Sequence, residues 1–146
     1  RLSHIDNCCL IKESTMDVTR VRDIIRLCGD RLSVFGGIMG FESFLEGAIG
    51  WVAVASNVAP KVMSDIFNLC DGYHDIGKAR EMYFRHVPLI QFVGGQGYVA
   101  GTKALLKHMG LDIGGPRAPR LPLPEADDAR ALQIVKDLDL RFEESV

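Results

Sequence analysis

The stretch CLIKESTMDVTRVRDI, from Cys9 to Ile24, changes its period in the middle. From Asn7 to Ile11 the residues run apolar without alternation, as a strand buried on both faces of a parallel sheet does. After Ser14 the apolar positions Val18, Val21, Ile24, Ile25 and Cys28 fall at helical spacing until Gly29 stops the run, and Ser14 with Asp17 three positions on resembles a capping box. The prediction is a strand followed by an amphipathic helix. Lys12 stands at the end of that strand, beside Glu13. From its position alone Lys12 has two readings: a side chain that carries its charge out to solvent, paired with Glu13, or a nucleophile.

The same unit recurs downstream. RLSVFGG, Arg31 to Gly37, is a short apolar strand ending in two glycines, and a helix-like stretch from about Gly40 to Ala48 follows with Phe41, Phe44 and Leu45 inward. GWVAVASN, Gly50 to Asn57, reads as a third buried strand, and Pro60 opens a helix through Met63, Ile66, Phe67 and Cys70. Three strand and helix units with short links argue for parallel strands joined by right-handed crossovers, an α/β arrangement. Beyond Gly72 the pattern is helical: Asp75 to His86, Val99 to Met109, and Glu125 to about Leu138. GGPRAPRLPLP, Gly114 to Pro124, separates the last two, and its prolines favour an extended connection.

Three strands are too few to close a barrel, which takes about eight. An open parallel sheet of this size leaves two edges unpaired. The chain also begins RLSHIDNCC, with no initiator methionine and a strand almost at once, so upstream sequence is expected to be missing. A (β/α)8 barrel typically needs about 250 residues. Residues 1–72 are therefore expected to be the last three βα units of such a barrel, and 73–146 a C-terminal helical region.

Composition narrows the partners. An apolar share of 47% with 25% charged residues belongs to a globular domain able to bury a core. A net charge of −2 without a basic stripe gives no reason to expect nucleic acid or an anionic membrane. The longest apolar stretches, Ala53 to Val58 and Val87 to Val93, fall far short of the ~20 residues that span a bilayer, and no secretory signal is visible. Cys8, Cys9, Cys28 and Cys70 lack metal-ligand spacing and read as reduced, mostly buried thiols of a cytoplasmic protein. His4, His74, His86 and His108 share no ligand spacing either, so no metal is expected. The glycines of FGGIMG and VGGQGYVAG fit neither phosphate-binding fingerprint and read as turns.

In a (β/α)8 barrel, reactive side chains sit at the C-terminal ends of strands, where Lys12 is placed. A buried amine is disfavoured as ammonium, and the neutral form attacks a ketone to give a Schiff base. CLIKESTMDVTRVRDI resembles the lysine-bearing strand and helix of the dihydrodipicolinate synthase and N-acetylneuraminate lyase superfamily. VFGG stands where that family has a strand ending in a glycine beside the substrate. GAIGWVAVASNVAPKVM is similar to its last barrel strand, and RLPLP to its C-terminal linker. The resemblance covers Asn7 to about Leu138. It implies that Lys12 is the Schiff-base lysine, that Gly37 lines the substrate pocket, and that the main-chain carbonyl of Val52 faces a bound 2-oxo acid. A homotetramer and no cofactor are implied for the complete enzyme. Read without it, Gly37 is a strand-to-helix turn needing positive φ, and Val52 is barrel core.

The family's Thr-Thr pair and proton-shuttling tyrosine have no counterpart among these residues. This chain is not expected to catalyse alone, and Tyr73, Tyr83 and Tyr98 are not assigned that role. FGGIMGFES also lacks the acidic pair that follows the glycine in typical synthases and sialic acid lyases, and Ile38 and Met39 make that rim apolar. Pyruvate or another 2-oxo acid is the expected small-molecule substrate, in an aldol condensation or cleavage. A 2-keto-3-deoxy sugar acid aldolase or dehydratase is the alternative, and a non-catalytic paralogue serving in assembly is another. Glu42 and Gln96 are weak candidates for polar contacts, since both residue types are more often simply solvated.

Overall fold

The computed structural model describes residues 1–95 and 97–142. It contains three strands, β1 (Leu10–Glu13), β2 (Ser33–Gly36) and β3 (Gly50–Trp51). Its helices are α1 (Thr19–Cys28), α2 (Gly40–Leu45), α3 (Pro60–Cys70), α4 (Ile76–Gly94), α5 (Tyr98–His108) and α6 (Glu125–Asp137). Two compact units form: Arg1–Ala53 with Met63–Tyr83, and Val54–Val62 with the described residues from Phe84 onward.

In the first unit the strands pair in parallel in the order β1-β2-β3, the α/β arrangement expected. Ile11 lies beside Val34, and Lys12 beside Phe35. The pleat therefore sends Ile11 and Val34 to one face, where Val21 and Ala48 complete a core joined by Ile24 and Ile25. The opposite face is open. Leu10 is 60% exposed and Lys12 is exposed, so β1 is not buried on both faces as its apolar run predicts. Helix α1 covers only the Ile11 side.

Several element ends also differ from expectation. Ser14 does not cap α1, which begins at Thr19. A turn takes up residues 14 to 17, with Met16 at φ 68°, and its polar groups bond one another before helical dihedrals begin. Asp17 accepts from the Thr19 amide at 3.1 Å and from its hydroxyl at 2.6 Å. Gly29 stops α1 at φ 56°, as predicted. Helix α2 ends at Leu45 rather than Ala48, because Gly47 turns the chain at φ 99° and the Ala48 amide reaches back to the Ser43 carbonyl at 2.9 Å. Phe41 and Phe44 are buried as expected, but Leu45 is turned outward. Strand β3 has two residues instead of eight, because β2 ends at Gly36 and the ladder closes with the bond from Val52 N to Gly36 O at 3.0 Å. The residues Val54–Asn57 form a 3-10 turn instead, held by Asn57 Nδ2 donating to the Val54 carbonyl.

Helix α4 runs past His86 to Gly94 with Pro88 inside it. An interior proline costs about 3 kcal/mol. Within the second unit Leu89, Ile90, Phe92 and Val93 are buried, each contributing roughly 1.5–3 kcal/mol, so burial outweighs the lost hydrogen bond. Helices α5 and α6 pack against each other, Leu105, Leu106, Ala131, Ile134 and Val135 on them are buried, and His108 Nε2 lies 3.2 Å from Asp128 Oδ1. The linker from Gly114 to Pro124 is largely extended, as its prolines predict. Of the four free thiols only Cys70 is buried, and Cys9 is exposed. The expectation of mostly buried cysteines fails because Cys8 and Cys9 lie ahead of β1, where no helix covers them. No helix among the described residues is long and apolar enough to cross a membrane.

Candidate active site

The parallel register aligns the C-terminal ends of the three strands. Glu13 pairs with Gly36 and Gly36 with Trp51, so the next residues of the three strands, Ser14, Gly37 and Val52, stand at one edge of the sheet. Lys12 precedes that row by two residues, beside Phe35. The three positions singled out in the sequence, Lys12, Gly37 and Val52, are thus brought to neighbouring strand ends. Val52 is half exposed among the described residues.

Glu13 is buried and takes no part in shielding Lys12. Its Oε1 accepts from the Thr15 amide at 3.0 Å and lies 3.6 Å from Arg20 Nε. Alternation along β1 puts Lys12 and Glu13 on opposite faces, and the pairing of the two considered from sequence does not form. A lysine free of its neighbouring carboxylate and open to one face can approach a carbonyl compound on that face.

Gly37 is required for closeness rather than for a left-handed backbone. Its φ is not positive, contrary to the turn reading. A Cβ there would fall onto Ser14 Oγ and lie 2.6 Å from the Glu13 carbonyl oxygen, inside any real contact. The strand end carrying Lys12 and the β2 end are therefore pressed together at Gly37.

Trp51, which sequence reasoning passed over, anchors this contact. Its Nε1 donates to the Gly37 carbonyl at 2.5 Å. Gly40 leaves room for the indole, since a Cβ there would fall onto the ring. Phe44 meets the ring edge-on at 6.4 Å between centroids, and Tyr83 does so at 6.1 Å. The sequence signal was available: an indole N–H in a packed strand has to find an acceptor. Tyr83 is buried, stacks on Phe41 at 5.3 Å and donates to Glu42 Oε2 at 2.9 Å. Burial, with the Glu42 charge adding, pushes its phenol well above the usual tyrosine range. Glu42 is thus hydrogen-bonded and not merely solvated. Gln96 lies outside the described residues. An open groove of about 1350 Å³ in the second unit, lined by residues including Pro60, His86, Leu106 and Phe142, contains none of the three strand-end positions.

Residues 1–138 match the family model described as the dihydrodipicolinate synthetase family. The 4-hydroxy-tetrahydrodipicolinate synthase of Syntrophobacter fumaroxidans is 35% identical over 144 residues, 94% of this chain and 47% of its own length. That of Archaeoglobus fulgidus is 32% identical, covering 96% of this chain and 49% of its own. Among solved structures, the chloride-inhibited dihydrodipicolinate synthase of Acinetobacter baumannii complexed with pyruvate superposes with a TM-score of 0.87 at 29% identity. It covers 96% of this chain and 48% of that one. Dihydrodipicolinate synthase DapA-2 of Bacillus anthracis gives 0.83 at 28% identity, over 93% and 47%. The chain spans about half the length of the relatives it matches.

Proposed function

Since this chain belongs to the dihydrodipicolinate synthetase family, we propose that it forms the last three βα units of a (β/α)8 barrel in which Lys12 makes a Schiff base with pyruvate or another 2-oxo acid. Residues 1–72 contribute the barrel units and 73–146 the helical region that follows them. The observation that carries this reading is the open face of the sheet. Leu10, Lys12 and Val52 stand exposed beside strand ends, while the Ile11 and Val34 face is covered by α1. A barrel interior has this asymmetry when only part of the barrel is present, and the remaining strands supply the cover that desolvates Lys12.

In the proposed reaction the neutral Lys12 amine adds to the ketone carbon, and the former ketone oxygen leaves as water after proton transfer. The resulting iminium draws electrons from the adjacent carbon, so a C–H or C–C bond there breaks, or a new C–C bond forms, near neutral pH. Gly37 lines the substrate side by its lack of a side chain, and the Val52 carbonyl faces the 2-oxo acid. The pyruvate complex of the Acinetobacter baumannii relative supports the choice of pyruvate. No cofactor is used, the complete enzyme is a cytoplasmic homotetramer, and its partner is the small-molecule substrate. Ile38 and Met39, apolar and half-buried after Gly37, favour a second reading within the family. That reading is a 2-keto-3-deoxy sugar acid aldolase or dehydratase, whose reacting end is less charged than the synthase aldehyde substrate. That these residues hold no counterpart of the family's Thr-Thr pair and proton-shuttling tyrosine favours a third, a non-catalytic member kept for assembly.

Borohydride trapping decides between catalysis and assembly. The assembled barrel is incubated with pyruvate, reduced, digested and read by mass spectrometry. An adduct on Lys12 that vanishes in Lys12→Arg is expected. A folded, full-length barrel that gives none removes the lyase reading.

A further inference from the structure

We propose that Trp51 is a positioning residue for Lys12, acting through the Gly37 carbonyl; the proposal rests on the Schiff-base reading above. The chain of contacts is short and directional. Trp51 Nε1 donates to Gly37 O at 2.5 Å, and Gly37 packs against the Glu13 carbonyl and Ser14 so closely that no Cβ fits. Glu13 and Ser14 directly follow Lys12 on β1. Whatever fixes Gly37 therefore fixes the point from which the lysine side chain leaves the sheet.

The indole is itself held on three sides. Gly40 gives it space, Phe44 meets it nearly perpendicular at 86°, Tyr83 meets it tilted at 62°, and Tyr83 is tied to Glu42. Aromatic edges in this arrangement restrict the ring to one orientation, so its N–H is aimed and not merely nearby. A hydrogen bond to the carbonyl restrains the whole peptide unit, because the peptide plane turns as one piece. Trp51 neither touches the substrate nor moves a proton. Its work is to keep the β1 and β2 ends in one spacing, on which attack geometry at a ketone depends steeply.

The test uses the assembled barrel as wild type, as Trp51→Phe, and with Trp51 replaced by the isosteric benzothienylalanine, whose sulfur cannot donate. Borohydride trapping of pyruvate on Lys12 is followed as a rate against pyruvate concentration, normalised to folded protein by circular dichroism. The expected result is a fall of about tenfold in the saturating rate of both altered forms, with a smaller change in the half-saturating pyruvate concentration. Equal rates per folded molecule in wild type and both altered forms overturn the positioning role and leave the Schiff-base reading standing. Absence of an adduct in wild type overturns both. Where Trp51→Phe does not fold, the benzothienylalanine form, which keeps the ring shape, decides alone.

Discussion

Lys12 and Glu13 are adjacent in sequence and leave β1 on opposite faces, the lysine exposed and the glutamate buried against the turn that leads to α1. The glutamate is structural: it accepts the Thr15 amide at 3.0 Å and pairs with Arg20 at 3.6 Å. Glu13→Gln keeps an acceptor for Thr15 and loses only the pairing with the largely exposed Arg20, a change within about 1 kcal/mol. Glu13→Ala strips the Thr15 amide of its partner and costs about 1–3 kcal/mol. Urea unfolding of the two variants checks this ordering. Equal losses would place the stabilisation in the ion pair instead.

Gly37→Ala tests the closeness of the two strand ends. The added methyl meets the Glu13 carbonyl at 2.6 Å and Ser14, and the backbone there cannot swing aside as the end of a long side chain would. Overpacking of this kind costs about 1–3 kcal/mol. The expected outcome is a lower melting temperature together with loss of the proposed trapping on Lys12. A variant as stable as wild type would mean that the ends separate freely and that Gly37 is not needed for contact.

Met16→Gly is expected to stabilise. Met16 holds φ 68° in the turn after β1, a region that costs an L-residue roughly 1–2 kcal/mol and costs glycine little. Glycine loses more chain entropy on folding, by about 0.5–1 kcal/mol, so the net gain is a few tenths to about 1 kcal/mol. Thermal melts of Met16→Gly and Met16→Ala side by side check it: only the glycine variant should rise. A rise in both would show that the methionine side chain, and not its backbone, is the liability.

Much of this architecture was legible because its signals are local. The switch of period across Cys9 to Ile24, the glycine at position 29 and Pro60 each announced an element that the structure contains. What failed depended on neighbours. The length of β3 is set by where β2 ends at Gly36, and the start of α1 by a turn whose polar groups satisfy one another. No apolar count on β3 or α1 contains that information. The site divided in the same way. Lys12, Gly37 and Val52 were marked by motif and land on adjacent strand ends, whereas Trp51 and the Tyr83 to Glu42 bond join residues 14 and 41 positions apart. Only packing brings such pairs together.

The Tyr83 to Glu42 bond predicts how stability depends on alkaline pH. Burial, reinforced by the Glu42 charge and by the hydrogen bond, raises the Tyr83 phenol above its ordinary value of 10.0. In the folded chain the proton is kept where the unfolded chain has lost it. The native state then binds more protons than the unfolded state, so stability is whole below about pH 10 and falls as the pH rises beyond it. The slope from this one group is about 1.4 kcal/mol per pH unit. Burial raises the Cys70 thiol in the same sense from 9.0, which adds a decline of the same sign. Tyr83→Phe removes the tyrosine share: the variant starts lower by about 1 kcal/mol for the lost bond and declines less steeply above pH 10. Urea midpoints of wild type and variant across that range, with tyrosinate absorbance followed in parallel, give the two slopes. Parallel slopes would mean that the Tyr83 phenol ionises as freely in the folded chain as in the unfolded one, and that its hydroxyl is not held in the buried contact with Glu42.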